Sequence, residues 1–165
     1  MRTVKMAGSA LALGLLAAAC GSGGSDEGAS HATSAAGAAS SPPAAAAAVD
    51  AKKVGLGTIL VDGKGMTLYL FEKDKGGKSA CDGACASAWP PVLTSGKAMP
   101  GQGVKASLLG TTMRPDGTTQ VTYNHWPLYY YVADKAPGDT TGQDIDAFGA
   151  EWYVLDAAKG TKLEK

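Results

Sequence analysis

Three cysteines and two histidines are the side chains of this 165-residue chain best suited to chemistry. Cys81 and Cys85 enclose Asp82-Gly83-Ala84, and Trp89 follows four residues later. A pair at this spacing supports three chemistries. As a disulfide it closes a short loop, contributes about 2 kcal/mol in the chain-entropy picture, and mainly fixes a turn that seats Trp89. As a dithiol it exchanges electrons, which calls for an electropositive setting at a helix N-terminus. The spacing is Cys-x3-Cys, not the Cys-x2-Cys of thioredoxin-like proteins, and no βαβ pattern surrounds it. As a metal site it would join His125 and a methionine (Met66, Met99 or Met113), a soft set suited to copper or zinc. His125 precedes Trp126-Pro127 in a turn-like stretch, and no Cys-x-x-Cys-His for haem attachment occurs.

Cys20 has a different context. Arg2 and Lys5 precede an apolar run from Ala7 to Ala19, and Cys20 follows directly. A basic start, a short apolar stretch and small residues before a cleavage point make a secretory signal. The run is too short for a spanning helix, which needs roughly 20 residues. Small residues before a cysteine are the pattern of a bacterial lipobox. That pattern implies cleavage after residue 19, a diacylglycerol on the Cys20 thiol, and a mature chain tethered to a bilayer by its acylated N-terminus. Ala17 stands where leucine is commonest, and an ordinary secretory cut after Ala19 is the alternative. Either way the chain is exported. An oxidising compartment turns paired thiols into disulfides, which favours that chemistry for Cys81 and Cys85.

Without residues 1–19 the chain carries thirteen basic and fifteen acidic side chains. That balance argues against nucleic acid, which requires a clustered basic face. It equally argues against polybasic attraction to lipid, so membrane attachment falls to acyl chains. No serine elbow, His-Glu-x-x-His, Walker loop or dinucleotide fingerprint appears, and a non-enzymatic protein is expected.

The elements that must position these residues begin late. Residues 21–50 contain no aromatic and a single branched aliphatic, Val49. Such a stretch buries too little apolar surface to offset its ordering entropy. Residues 20–51 therefore read as the lipidated cysteine and a disordered tether with a reach of roughly 30 Å, in which His31 is solvated. Residues 52–165 read as one globular domain. Val54–Val61 and Met66–Phe71, around Asp62-Gly63, predict a hairpin. Leu108–Met113 and Thr118–Tyr123, around Arg114-Pro115-Asp116-Gly117, predict another. Trp126–Val132 and Glu151–Leu155 read as further strands, and short helices are expected over 82–89 and 143–148.

One pattern occurs twice. Leu68 to Lys75 and Leu128 to Lys135 both read Leu-Tyr-x-aromatic-x-x-Asp-Lys, and each is followed by a glycine-bearing turn and a tryptophan. Alternation puts Tyr69 and Phe71 on one strand face and Leu68 and Leu70 on the other, with Tyr129 and Tyr131 matching them. Asp74 and Asp134 arrive as each strand ends, where a carboxylate can accept backbone N–H groups of the turn. Tyr69, Phe71, Asp74, Trp89 and Tyr129, Tyr131, Asp134, Trp152 are thus either architecture or the lining of a ligand groove.

The tandem Tyr-x-(Phe/Trp/Tyr)-x-x-Asp pattern behind a lipobox resembles the bacterial lipoprotein family called "secreted repeat of unknown function". Cys81-Asp82-Gly83-Ala84-Cys85-Ala86-Ser87-Ala88-Trp89-Pro90-Pro91 is similar to that family's Cys-x-Gly-x-Cys-Ala-x-x-Trp-Pro-Pro segment. The second repeat departs from it, since residues 138–149 hold no cysteine pair. The resemblance implies an extracytoplasmic lipoprotein and brings no biochemical role.

The expectation is a mainly β (or α+β) domain of two pseudo-repeated antiparallel hairpin or meander units, about 54–95 and about 106–157. It would lie on the extracytoplasmic side of a bacterial membrane and bind an envelope protein or cell-wall component without a cofactor. The alternative is a redox, electron-transfer or copper-handling protein acting through Cys81 and Cys85.

Overall fold

A computed structural model describes residues 45–164. The signal segment, Cys20, His31 and most of the tether lie outside the described residues. The chain runs through β1 (Ala48–Val54), β2 (Gly57–Asp62), β3 (Tyr69–Phe71), α1 (Gly83–Ala88) and β4 (Met99–Pro100). A 3-10 turn (Ala106–Leu108) leads to β5 (Leu109–Met113), β6 (Thr119–Tyr123), β7 (Trp126–Pro127), β8 (Ile145–Ala147) and β9 (Ala150–Val154). The expected mainly β architecture is present, as three small sheets ordered β2-β1-β4, β3-β9-β8 and β5-β6-β7. All pairs are antiparallel except β1 with β4.

The β5–β6 hairpin forms around Arg114-Pro115-Asp116-Gly117 as the turn residues predict, with Gly117 at φ 81°. The first hairpin differs. Residues 54–61 are not one strand; the chain turns at Gly55-Leu56, and β2 pairs along its whole length with β1. On its other side, β2 meets the 66–71 segment through the Leu68 N–H to Leu60 C=O bond and the Val61–Thr67 bridge. β1 lies largely inside the stretch read as tether. That expectation is corrected: the domain is already ordered at Ala47, whose N–H bonds Thr94 Oγ1 at 3.0 Å. The single Val49, fully buried, is enough because the flanking alanines let neighbours close in. A Cβ on Gly103 would lie 2.8 Å from that of Ala51.

The short helix appears at 83–88, but the one expected over 143–148 does not form. That stretch enters β8 and turns at Phe148 (φ 60°) and Gly149 (φ 88°), a left-handed hairpin tip that ends any helix. Trp126–Val132 is not one continuous strand but changes partners along its length: Trp126–Pro127 pairs with β6, and Tyr129–Val132 pairs with the first repeat.

The core has two parts, and strand alternation sorts side chains between them. Leu68, Leu70 and Leu128 join Val49, Leu60, Val121 and Tyr123. Tyr69, Phe71 and Tyr129 join Ile59, Cys81, Cys85, Trp89 and Trp152.

Candidate functional site

The two repeats meet at one antiparallel bridge. Tyr69 N–H donates to Tyr129 C=O at 2.9 Å, and Tyr129 N–H to Tyr69 C=O at 3.0 Å. Around that bridge each repeat lends its parts to the other. β3 of the first repeat pairs with β9 of the second, placing Phe71 opposite Trp152. The Tyr129–Val132 strand of the second pairs with the Ala88–Val92 segment of the first: Tyr130 N–H reaches Pro90 C=O and Val132 N–H reaches Ala88 C=O. The result is an approximate internal two-fold. The two units expected from the sequence are present, but neither is self-contained.

Side chains follow the same crossing. Tyr69 O–H donates to Asp134 Oδ2 at 2.7 Å, and Tyr129 O–H donates to Asp74 Oδ2 at 2.7 Å. The remaining carboxylate oxygens take the turn N–H groups, Asp74 Oδ1 from Ala80 at 2.7 Å and Asp134 Oδ1 from Thr141 at 3.0 Å. The turn role predicted for both aspartates is therefore met by one oxygen, and the other oxygen ties the repeats together. Between these pairs the rings form a column. Phe71 stacks on Trp152 at 4.1 Å, Trp152 on Trp89 at 3.9 Å, and Trp89 on Tyr131 at 4.1 Å. Tyr69 meets Trp89 edge-on at 5.4 Å, and Tyr129 meets Trp152 edge-on at 5.1 Å. All eight repeat-motif residues lie in one assembly.

Burial governs its electrostatics. Desolvation pushes the Tyr69 and Tyr129 phenols well above the usual range, and the carboxylates they bond add to that. Burial also lifts the Asp74 carboxyl from 3.8 to about 6, against the opposing pull of the Ala80 N–H, the Tyr129 hydroxyl and the charges of Arg114 and Lys75. The folded state thus holds this proton more tightly than the unfolded chain. Its stabilising contribution is full below pH 3.8 and is lost as pH rises through about 6. Asp74→Asn is expected to remove that slope. Across this interval the native unfolding midpoint should fall relative to the variant's as pH rises, while the two converge at low pH, where both side chains are neutral; parallel curves would refute the assignment.

Three residues of the site escaped the sequence. Arg114, in an apparent surface turn, is only 6% exposed. Its guanidinium donates to Ser79 Oγ at 2.8 Å, Gln120 Oε1 at 2.7 Å and Cys81 C=O at 2.8 Å. Ser79 Oγ in turn lies 2.8 Å from the Tyr129 hydroxyl. Gly142 packs where a Cβ would stand 2.8 Å from the Trp89 ring and 2.9 Å from Tyr69.

Cys81 and Cys85 are joined, with Cα atoms 5.2 Å apart, and Cys81 is fully buried. In this structure each sulfur is bonded to the other, and neither is offered to a metal ion beside His125. His125 stands instead in the β6–β7 turn, where it and Asn124 adopt positive φ (67° and 47°). Removing both cysteines by Cys81→Ser/Cys85→Ser is expected to lower stability by about 2 kcal/mol, read from denaturant unfolding. No change would show that the local turn holds without the bridge.

A cleft of about 250 Å³ opens between the two turns, lined by Asp74, Lys75, Gly76, Gly77, Asn124, His125 and Trp126. Backbones at Gly76 and Gly77 are also left-handed, at φ 59° and 73°.

A family model described as "secreted repeat of unknown function" matches residues 51–93 and again residues 110–156. Neither curated proteins nor solved structures yield a match. The first matched segment carries Tyr69, Phe71, Asp74 and Trp89, the second Tyr129, Tyr131, Asp134 and Trp152, and the chain therefore belongs to the secreted repeats of unknown function.

Proposed function

We propose that this chain is a non-enzymatic, lipid-anchored module of the bacterial envelope that binds a partner on the extracytoplasmic side. The family's secreted character supports the location, and among the described residues no helix is long and apolar enough to cross a membrane. Anchoring then rests on Cys20. The observation that carries the binding reading is the use of the carboxylates. Asp74 and Asp134, the buried acids of the repeat, are both occupied by phenols and turn amides of the scaffold. The motif builds a rigid body, and contact falls to its surface. In this proposal the contact point is the cleft at Asn124, His125 and Trp126, because it sets an exposed imidazole and a half-buried indole side by side at its rim, on a tight two-residue hairpin turn that fixes both.

Cys20→Ser is expected to move the protein from the membrane fraction to the soluble extracytoplasmic fraction. Unchanged membrane fractionation would remove the lipid anchor. The released form should co-sediment with detergent-stripped envelope fragments, and His125→Ala/Trp126→Ala should abolish that. Retention by the double variant would move the contact elsewhere.

A further inference from the structure

The ring column sets oxidisable rings beside buried bases. Asp74 and Asp134 each serve a turn amide through one carboxylate oxygen and hold the other against a phenol. The chain places two indoles face to face at 3.9 Å and sets a phenol against each, edge-on. Each phenol is bonded at 2.7 Å to a buried carboxylate. Indole and phenol are the protein rings that lose a single electron most readily. A phenol does so far more easily when its proton has a base to go to. Trp89, Trp152, Tyr69 and Tyr129 are at most 1% exposed, whereas Tyr131, at the end of the column, is partly exposed.

We propose that the column is a proton-coupled relay for single oxidising equivalents, leading inward from Tyr131 through Trp89 and Trp152 to the Tyr129–Asp74 and Tyr69–Asp134 pairs. A one-electron oxidant of the peroxyl-radical class takes an electron from Trp89 by way of Tyr131, gains a proton from water and leaves as a hydroperoxide. The vacancy is shared with Trp152. Tyr129 fills it with the electron of its O–H bond while the proton crosses to Asp74 Oδ2. The products are a neutral phenoxyl at Tyr129 and a carboxylic acid at Asp74. The same step joins Trp89, Tyr69 and Asp134. A donor of the hydroquinone class restores the site by returning an electron along the column; Asp74 returns its proton to the phenoxyl, and the donor's proton goes to water. The Cys81–Cys85 disulfide takes no part.

The test uses the full chain, photogenerated tris(bipyridine)ruthenium(III) as oxidant, and time-resolved absorption. In the native chain a tryptophanyl radical should appear and give way to a tyrosyl radical. Tyr69→Phe/Tyr129→Phe should lengthen the tryptophanyl lifetime by about tenfold or more, equivalent to removing the lowest-barrier exit. Equal lifetimes in native and variant chains would overturn the relay. A second reading needs no substitution: in heavy water the native tryptophanyl decay should slow, because a proton moves with the electron. Identical decays in light and heavy water would overturn it even if the variant failed to fold.

Discussion

Trp152→Ala is expected to lower the stability of the domain by about 3–5 kcal/mol, the usual cost of removing a large aromatic from a packed core. Trp152 is fully buried, stacks on Phe71 and Trp89 and takes the edge of Tyr129. Its indole N–H also donates to Ala147 C=O at 3.1 Å, fastening β8 to the column. Losing it opens a cavity at the contact between the repeats, and neither repeat can collapse into the space without breaking the β3–β9 register. Set against a total stability of about 5–15 kcal/mol, the change should shift the unfolding midpoint strongly. A shift below about 1 kcal/mol would mean that the column is not the keystone of the core.

The second large effect comes from the crossed phenol–carboxylate pairs. Asp134→Ala leaves the Thr141 N–H and the Tyr69 hydroxyl without their acceptor, and Asp74→Ala does the same to the Ala80 N–H and Tyr129. Each should cost about 1–3 kcal/mol, since buried polar groups lose partners. A double-mutant cycle tests the crossing itself. Tyr69→Phe with Asp134→Asn should show a coupling of about 0.5–3 kcal/mol. Tyr69→Phe with Asp74→Asn joins residues of the same repeat that share no hydrogen bond, and should be closer to additive. Strong coupling within a repeat and none between repeats would contradict the exchange.

Much of this was legible in the residues. The spacing of Leu68, Tyr69, Leu70 and Phe71 fixes which face each takes, and the two core groups obey it. Aspartate at a strand end announces a turn, and both carboxylates accept the expected amides. The crossing was not legible. Two copies of one motif offer the same donors and acceptors, so local pattern is silent on which tyrosine meets which aspartate. β1 was missed because Ala48 and Ala51 carry almost no hydrophobic signal, although small side chains are what the close approach to Gly103 demands. Arg114 was missed because a cation in an Arg-Pro-Asp-Gly turn ordinarily faces water, and only the meeting of the repeats encloses it. Gln143 looked helical by its neighbours. Its amide instead accepts from Val154 N–H at 2.9 Å and donates to Leu163 C=O at 2.8 Å.

The exchange of parts has a consequence for biogenesis. A secreted chain emerges from its export channel amino end first. When residue 93 has cleared the channel, Phe71 has no wall and Asp74 no phenol, because Trp152 and Tyr129 are still on the far side. Contacts separated by this much sequence form slowly, since loop closure must precede any gain. The emerging portion therefore stays open, exposed to proteases and chaperones, until nearly its whole length has been delivered.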